Sequence, residues 1–354
     1  LFARSEINMG VDAFRDSLYA MLKRNTFLNI KFENMLDTLG EMSRTDLYSY
    51  LKEWEQLTPL PFYSIGEPEL TKVVNKGGEE FFVLKVLVSN NSDYDGIIQM
   101  NVLQNGWWYQ PMEDPRARKK VEIAAHTSKE FVSVWEEQIR DVEINTMVSG
   151  NLPYMIRQSI GNVKQERNKI VKDTIYTLPE SSLEMPGEVI VDNEDSTLFI
   201  LSAPPIVGLL PKWLDGVEET PFKYLGISWW RPPLQWTATT NDRYYGKYIR
   251  SAFVIKSGDG SQTATWKVPV PEVGQYDLYY HVFKDDELRW NNNLQGEYHF
   301  KVKYGSEVED AYVNLRKANE GWEQLGSYYF DSDTVRVVLT DECKLRSVTA
   351  DAVK

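Results

Sequence analysis

The hydrophobic spacing of this chain changes at one proline-marked break, Thr58-Pro59-Leu60-Pro61. That change limits the available folds more than any single motif. Upstream, GVDAFRDSLYAMLKRNTF places Val11, Phe14, Leu18, Met21 and Leu22 at steps of three and four, the period of a helix. FENMLDTL predicts a second helix over 32–39. LYSYLKEWEQL, after the cap-like Ser43 and Thr45, predicts a third that runs to Leu57. Proline ends it, because it lacks an amide proton and its ring clashes with the preceding turn. Three short helices enclose a thin core, so this block is expected to pack on a neighbour.

Downstream the period is two. FFVLKVLVSN (81–90), GIIQMNVLQ (96–104), KKVEIAAH (119–126) and KEFVSVWEE (129–137) read as strands, with turn chemistry at 75–78 and 91–96. Short strands at this spacing predict an Ig-like β-sandwich. Residues 151–186 show little β pattern and read as a linker with one short helix, Asn162 to Val171. Strands resume with GEVIVD, GKYIRSAFVIK, QTATWKV, QYDLYYHVF, EYHFKVK, WEQLGSYYF, TVRVVLT and SVTADAVK, which predict a larger jelly-roll-like sandwich. The fold class is therefore mainly β. A helical segment occupies 1–63, an Ig-like sandwich 64–150, a linker 151–186 and a jelly-roll-like sandwich 187–354.

A formal charge of −13 disfavours nucleic acid and anionic headgroups as partners, and no apolar run is long enough to insert in a membrane. With Cys343 alone, no internal disulfide forms. The opening LFARSEINMG, helical and without an initiator Met, reads as a fragment of a longer polypeptide.

Residues suited to catalysis are sparse. The histidines are His126, His281 and His299, and H-E-x-x-H does not occur. A metal pair formed by His281 and His299 across strands is outweighed by two histidines satisfied within the sheet. Cys343 stands beside Glu342, which disfavours a thiolate, and is expected to be inert. Asp192, Glu194 and Asp195 in VDNEDS have the donor type and spacing of a calcium cluster, although a solvated acidic turn accounts for them better. With 52 acidic residues, no particular carboxylate pair can be singled out.

Two stretches resemble known families. VDNEDS (191–196), Tyr244-Tyr245-Gly246, Ala264-Thr265-Trp266, VGQYDLYYHV, GEYHF, Gly321-Trp322-Glu323-Gln324-Leu325-Gly326 and the terminal TADAVK follow one another in an order similar to the golvesin/xanthan-lyase-like C-terminal domain. That resemblance implies a carbohydrate-binding-like β-sandwich of secreted bacterial enzymes, here interrupted by an insertion at about 197–235. Gly10, Phe14, Trp54 and Pro61 resemble the end of the thermolysin-like domain of aminopeptidase N-like zinc aminopeptidases, which leads into an Ig-like domain. That resemblance implies that zinc, its ligands and the catalytic tyrosine belong to an upstream domain, and that this chain is non-catalytic. It also implies an extracytoplasmic location, periplasmic or at the cell surface, for a multidomain parent that a membrane anchor could hold.

One aromatic stretch remains, ISWWRPPLQWTATTNDRYYG (227–246). Successive strand side chains face opposite ways, so Trp229 and Trp230 cannot both be core. Trp229, Trp230, Trp236, Tyr244, Tyr245 and Trp290, rimmed by Asp242 and Asn291, are the candidate glycan platform. Packing into the sandwich, or against another domain, are the competing assignments. The expected partners are cell-envelope polysaccharide or the upstream peptidase domain. A free-standing adhesion module is the alternative, and a polysaccharide lyase or hydrolase is disfavoured for want of a site.

Overall fold

A computed structural model describes residues 2–44, 46–56, 60–104, 114–167, 171–180, 183, 187–202, 232–284 and 296–354. The chain divides into two compact units, Leu1–Leu183 and Glu184–Lys354.

The first unit opens with four helices: α1 (Phe2–Met9), α2 (Val11–Arg24), α3 (Phe32–Ser43) and α4 (Leu47–Gln56). Gly10 separates the first two at φ 86°, a left-handed conformation that glycine adopts at no steric cost. This break makes the expected three helices four. Met21, Leu36, Leu39 and Leu47 form a small buried core with Phe14 and Leu18 partly buried against it, whereas Val11 and Leu22 of the expected stripe are exposed. Asp46 caps α4, its carboxylate accepting the Ser49 amide at 2.9 Å and the Ser49 hydroxyl at 2.7 Å. Ser43, expected as a cap, instead donates from the last turn of α3 to the Leu39 carbonyl at 2.7 Å. Thr45 lies outside the described residues. The neighbour of this block is the sandwich itself: Arg4 and Glu6 of α1 pair with Glu122 and Lys120.

That sandwich contains β1 (Tyr63–Ile65), β2 (Glu69–Val74), β3 (Glu80–Asn90), β4 (Gly96–Gln104), β5 (Arg118–Ile123), β6 (Thr127–Trp135), β7 (Ile139–Asn145), β8 (Met155–Ser159), β9 (Lys164–Arg167) and β10 (Thr174–Pro179). One sheet runs β10-β6-β3-β2-β9, with β1 also on β3; the other runs β5-β4-β7-β8. The chain changes sheet after β3, β5, β6 and β8, crossing between layers as in Ig-like sandwiches. Leu84, Val86, Val88, Phe131 and Trp135 meet Ile98, Met100, Val102, Val142 and Ile144 across the core. Residues 151–186 differ from the expected linker, and no helix forms over 162–171 among its described residues. Instead β8, β9 and β10 each add an edge to one of the two sheets. Edge strands with most side chains partly or fully exposed need no apolar alternation, which is why the sequence hid them.

The second unit contains β11 (Phe199–Leu201), β12 (Thr237–Thr240), β13 (Ser251–Lys256), β14 (Thr263–Pro269), β15 (Gly274–Val282), β16 (Glu297–Tyr304), β17 (Glu307–Asn314), β18 (Gly321–Phe330), β19 (Thr334–Thr340) and β20 (Ser347–Ala350). A sheet β11-β14-β19-β16-β17 packs against β12-β13-β20 and β15-β18. Residues 352–354 join the last two ladders: His281 donates to the Ala352 carbonyl at 2.9 Å and Tyr279 to that of Lys354 at 2.8 Å. Trp266, Phe300, Val337 and Leu339 meet Ile255, Leu278, Tyr280, Ala350 and Val353 in one core. The expected strand GEVIVD contracts to a single bridge between Val191 and Val353. Among the described residues no helix is long and apolar enough to cross a membrane.

Candidate functional site

Alternation on β15 buries Leu278, Tyr280 and Val282 and turns Tyr279 and His281 outward. The register with β18 sets His281 opposite Trp322, Tyr279 opposite Gln324 and Asp277 opposite Ser327. Directly paired antiparallel residues share a face, so these side chains form one outer surface. Tyr245, from the turn between β12 and β13, completes it. Its ring centroid is 5.1 Å from Trp322 and 5.8 Å from His281, and His281 meets Trp322 edge-on at 5.1 Å. The Lys354 ammonium sits 5.2 Å from the ring centres of both Tyr279 and Trp322 and 2.9 Å from Glu188. At the rim, the Asp277 carboxylate accepts from Gln324 at 3.1 Å and from the Ser327 hydroxyl.

This shelf is fixed from below by Asp351, which is fully buried. Its carboxylate accepts His281 Nδ1–H at 2.8 Å and the Tyr245 backbone N–H at 3.2 Å to each oxygen. Burial pushes the Asp351 carboxyl above its ordinary value, while His281 and Arg250 pull it back. Burial also lowers the Arg250 guanidinium. Nearby Asp192 is raised from 3.8 to about 8, chiefly by burial and then by the charge of Asp351. Gly246 aims the preceding tyrosine: at φ 149°, any Cβ there would lie 1.9 Å from the Ile249 carbonyl oxygen.

Among the expected platform residues that are described, only Tyr245 reaches this shelf. Trp229, Trp230, Trp290 and Asn291 lie outside the described residues, as does most of the 197–235 insertion. Tyr244 is not a platform ring. It is 1% exposed and packs on Phe283 at 4.7 Å. Trp236 is partly buried against the core of the unit. Asp242 uses its carbonyl to accept the Arg250 guanidinium at 2.8 Å.

The acidic turn is internally bonded. Asp192 accepts the Asn193 amide at 2.7 Å, Asp195 accepts the Asp192 amide at 2.9 Å, and Glu194 takes the Ser251 hydroxyl. Among the described residues no three His, Cys, Asp or Glu side chains are grouped to hold a metal ion. All three histidines pair with carboxylates, His126 with Asp93 and Glu180, His281 with Asp351, and His299 with Asp310 and Glu342. Burial pushes the Cys343 thiol up, away from the reactive thiolate.

Sequence reasoning missed Trp322, His281 and Asp351 as one site. One signal was available: Asp351 is the sole acid in the buried run Val348–Val353, and a buried carboxylate implies a partner.

Residues 233–354, about a third of the chain, match the family model described as the Golvesin C-terminal domain. No curated protein matches the chain. Among solved structures, a β-glucuronidase of Bacteroides uniformis is 10% identical over 88% of this chain, with a TM-score of 0.22. This chain spans 32% of that one. The Sulfolobus Turreted Icosahedral Virus structure is 9% identical over 84% of this chain and 94% of its own, at a TM-score of 0.16. At these TM-scores neither likeness bears on fold or activity.

Proposed function

We propose that this chain is a non-catalytic, extracytoplasmic module whose second unit binds glycan on the Tyr245–His281–Trp322 shelf. The observation that carries the proposal is that the rings are held in place before any ligand arrives. Asp351 holds the His281 ring and the Tyr245 backbone, and the Tyr245 ring packs on Trp322 and His281, so binding freezes little that is not already ordered. Indole and phenol faces accept the axial C–H faces of a pyranose. Gln324, Asp277, Ser327 and His281 Nε2 supply donors and acceptors for hydroxyl groups. The match to the Golvesin C-terminal domain supports a carbohydrate-related role for this half.

The helical block favours a further neighbour. Tyr19, Leu22, Phe27 and Leu28 are exposed, Phe27 completely, which suits burial against another domain. On this reading the neighbour is the catalytic part of a zinc aminopeptidase-like parent that the second unit positions at the cell envelope. A stand-alone adhesion module would have no such domain, and sequence upstream of Leu1 encoding H-E-x-x-H separates the two.

The glycan proposal is tested by binding the whole chain to an array of envelope polysaccharides, beside Trp322→Ala and Tyr245→Ala. Loss of one stacked ring is expected to weaken binding about tenfold. Absence of any glycan ligand, or unchanged binding by both variants, rejects the shelf.

A further inference from the structure

The outer face of β15 and β18 continues beyond the shelf. Past Tyr279 and Gln324, the register sets Asp277 opposite Ser327 and Gln275 opposite Tyr329. Paired residues share a face, so Tyr329 points the same way as Trp322. Exposure agrees: Tyr328 and Phe330 are buried on either side, whereas Tyr329 is 60% exposed. The register shift between Leu278 and Tyr279 does not interrupt this face, because the Asp277 carboxylate accepts from both Gln324 and Ser327 across it.

Rings therefore stand at both ends of one surface. Tyr245, His281, Trp322 and Tyr279 gather at the first end, and Tyr329 marks the second. Trp322 and Tyr329 both lie on β18. At about 3.3 Å of rise per residue their separation is roughly 20 Å, the length of about four linked pyranoses. One sugar on the shelf leaves Tyr329 untouched. Between the rings, Asp277, Ser327 and Gln324 form a polar strip whose mutual hydrogen bonds hold it in place. Rings for sugar faces, separated by polar groups for hydroxyls, follow the strands as sugars follow a chain.

We propose that the β15–β18 face binds a linear glycan laid along the strands, with Tyr329 as a second stacking subsite about four sugars from Trp322. The proposal rests on the glycan reading of the shelf and adds the ligand class. An extended chain, such as β-1,4-linked pyranoses, keeps its rings near one line over this length. An α-1,4-linked chain coils and leaves the face before it reaches Tyr329. A single terminal sugar uses the shelf alone.

The test titrates the whole chain, by calorimetry, with the di-, tetra- and hexasaccharides of cellulose, xylan and chitin, and with maltohexaose. In at least one series the hexasaccharide is expected to bind about tenfold more tightly than the disaccharide. Tyr329→Ala should weaken the hexasaccharide about fivefold and leave the disaccharide unchanged. Trp322→Ala should weaken both. Tyr312→Ala removes a similarly exposed ring from β17, on a different sheet, and should change neither. A longer chain also gains from the extra registers it can occupy, but that gain survives Tyr329→Ala. Equal binding of short and long chains, a hexasaccharide untouched by Tyr329→Ala, or maltohexaose bound as tightly as the best extended hexasaccharide overturns the proposal. If Trp322→Ala weakens the disaccharide in those cases, the shelf stands without its extension. No binding of any series also overturns the proposal, and the polysaccharide array then decides the shelf by itself.

Discussion

Replacing Asp192 with asparagine should stabilise the second unit at alkaline pH and leave it unchanged at mildly acidic pH. The Asp192 carboxyl titrates at about 8 in the folded chain against an ordinary 3.8, because it is desolvated and faces Asp351, Asp195 and Glu194. A raised folded value means that the native state holds the proton more tightly than the unfolded state. The associated stability is complete below about pH 4 and is lost as pH rises towards 8. At about 1.4 kcal/mol per pKa unit, the full difference is on the order of 5–6 kcal/mol. Water reaching this half-buried side chain screens part of it, leaving roughly 3 kcal/mol between pH 4 and pH 8. Asparagine keeps the oxygen that accepts the Asn193 amide and removes the charge. The variant should therefore match the parent within about 0.5 kcal/mol at pH 4 and exceed it by roughly 3 kcal/mol at pH 8. Urea titration followed by hydrogen exchange in β13 and β20 peptides isolates this unit. An equally steep loss of stability with pH in the variant, or a less stable variant at pH 8, would refute the reasoning.

Three other variants probe separate parts of the fold. Asn151 mimics a strand, taking the Tyr63 amide at 2.9 Å and donating to its carbonyl at 2.8 Å, so Asn151→Ala should lower first-unit stability by about 2 kcal/mol in urea unfolding. Gly246→Ala drives a methyl into the Ile249 carbonyl and should cost about 3 kcal/mol while displacing Tyr245; a wild-type Tyr245–Trp322 contact in a crystal structure of the variant would contradict this. His126 is raised above 6.5 by hydrogen bonds first to Asp93 and then to Glu180. Its clasp is therefore complete at low pH and released as pH climbs through the raised value, and proton NMR of Asp93→Asn/Glu180→Gln should show titration back near 6.5.

The strands that the sequence revealed are those buried on one face. Gly96–Gln104 and Thr263–Pro269 alternate apolar and polar residues because one side of each meets a core. β8, β9 and β10 are edges, and β17 exposes most of its side chains, so pairing holds them with little help from burial. The candidate site was less legible. Its members are spread from Tyr245 to Lys354, and only the register between β15 and β18 sets His281 beside Trp322. Tyr244 and Tyr245 look equivalent in sequence, yet one is core and the other is surface; that distinction comes from the Gly246 turn, whose φ the sequence does not print.

The reciprocal amide bonds between Val191 and Val353 tie the beginning of the second unit to its final residues. During synthesis on the ribosome, the first unit has all its described pairings once Pro179 has emerged, and it can fold while translation continues. The second unit cannot close around its core until residues 351–354 leave the exit tunnel. Nascent chains of this half therefore wait with apolar strands uncovered, and a nonsense codon at Asp351 would strand them in that state.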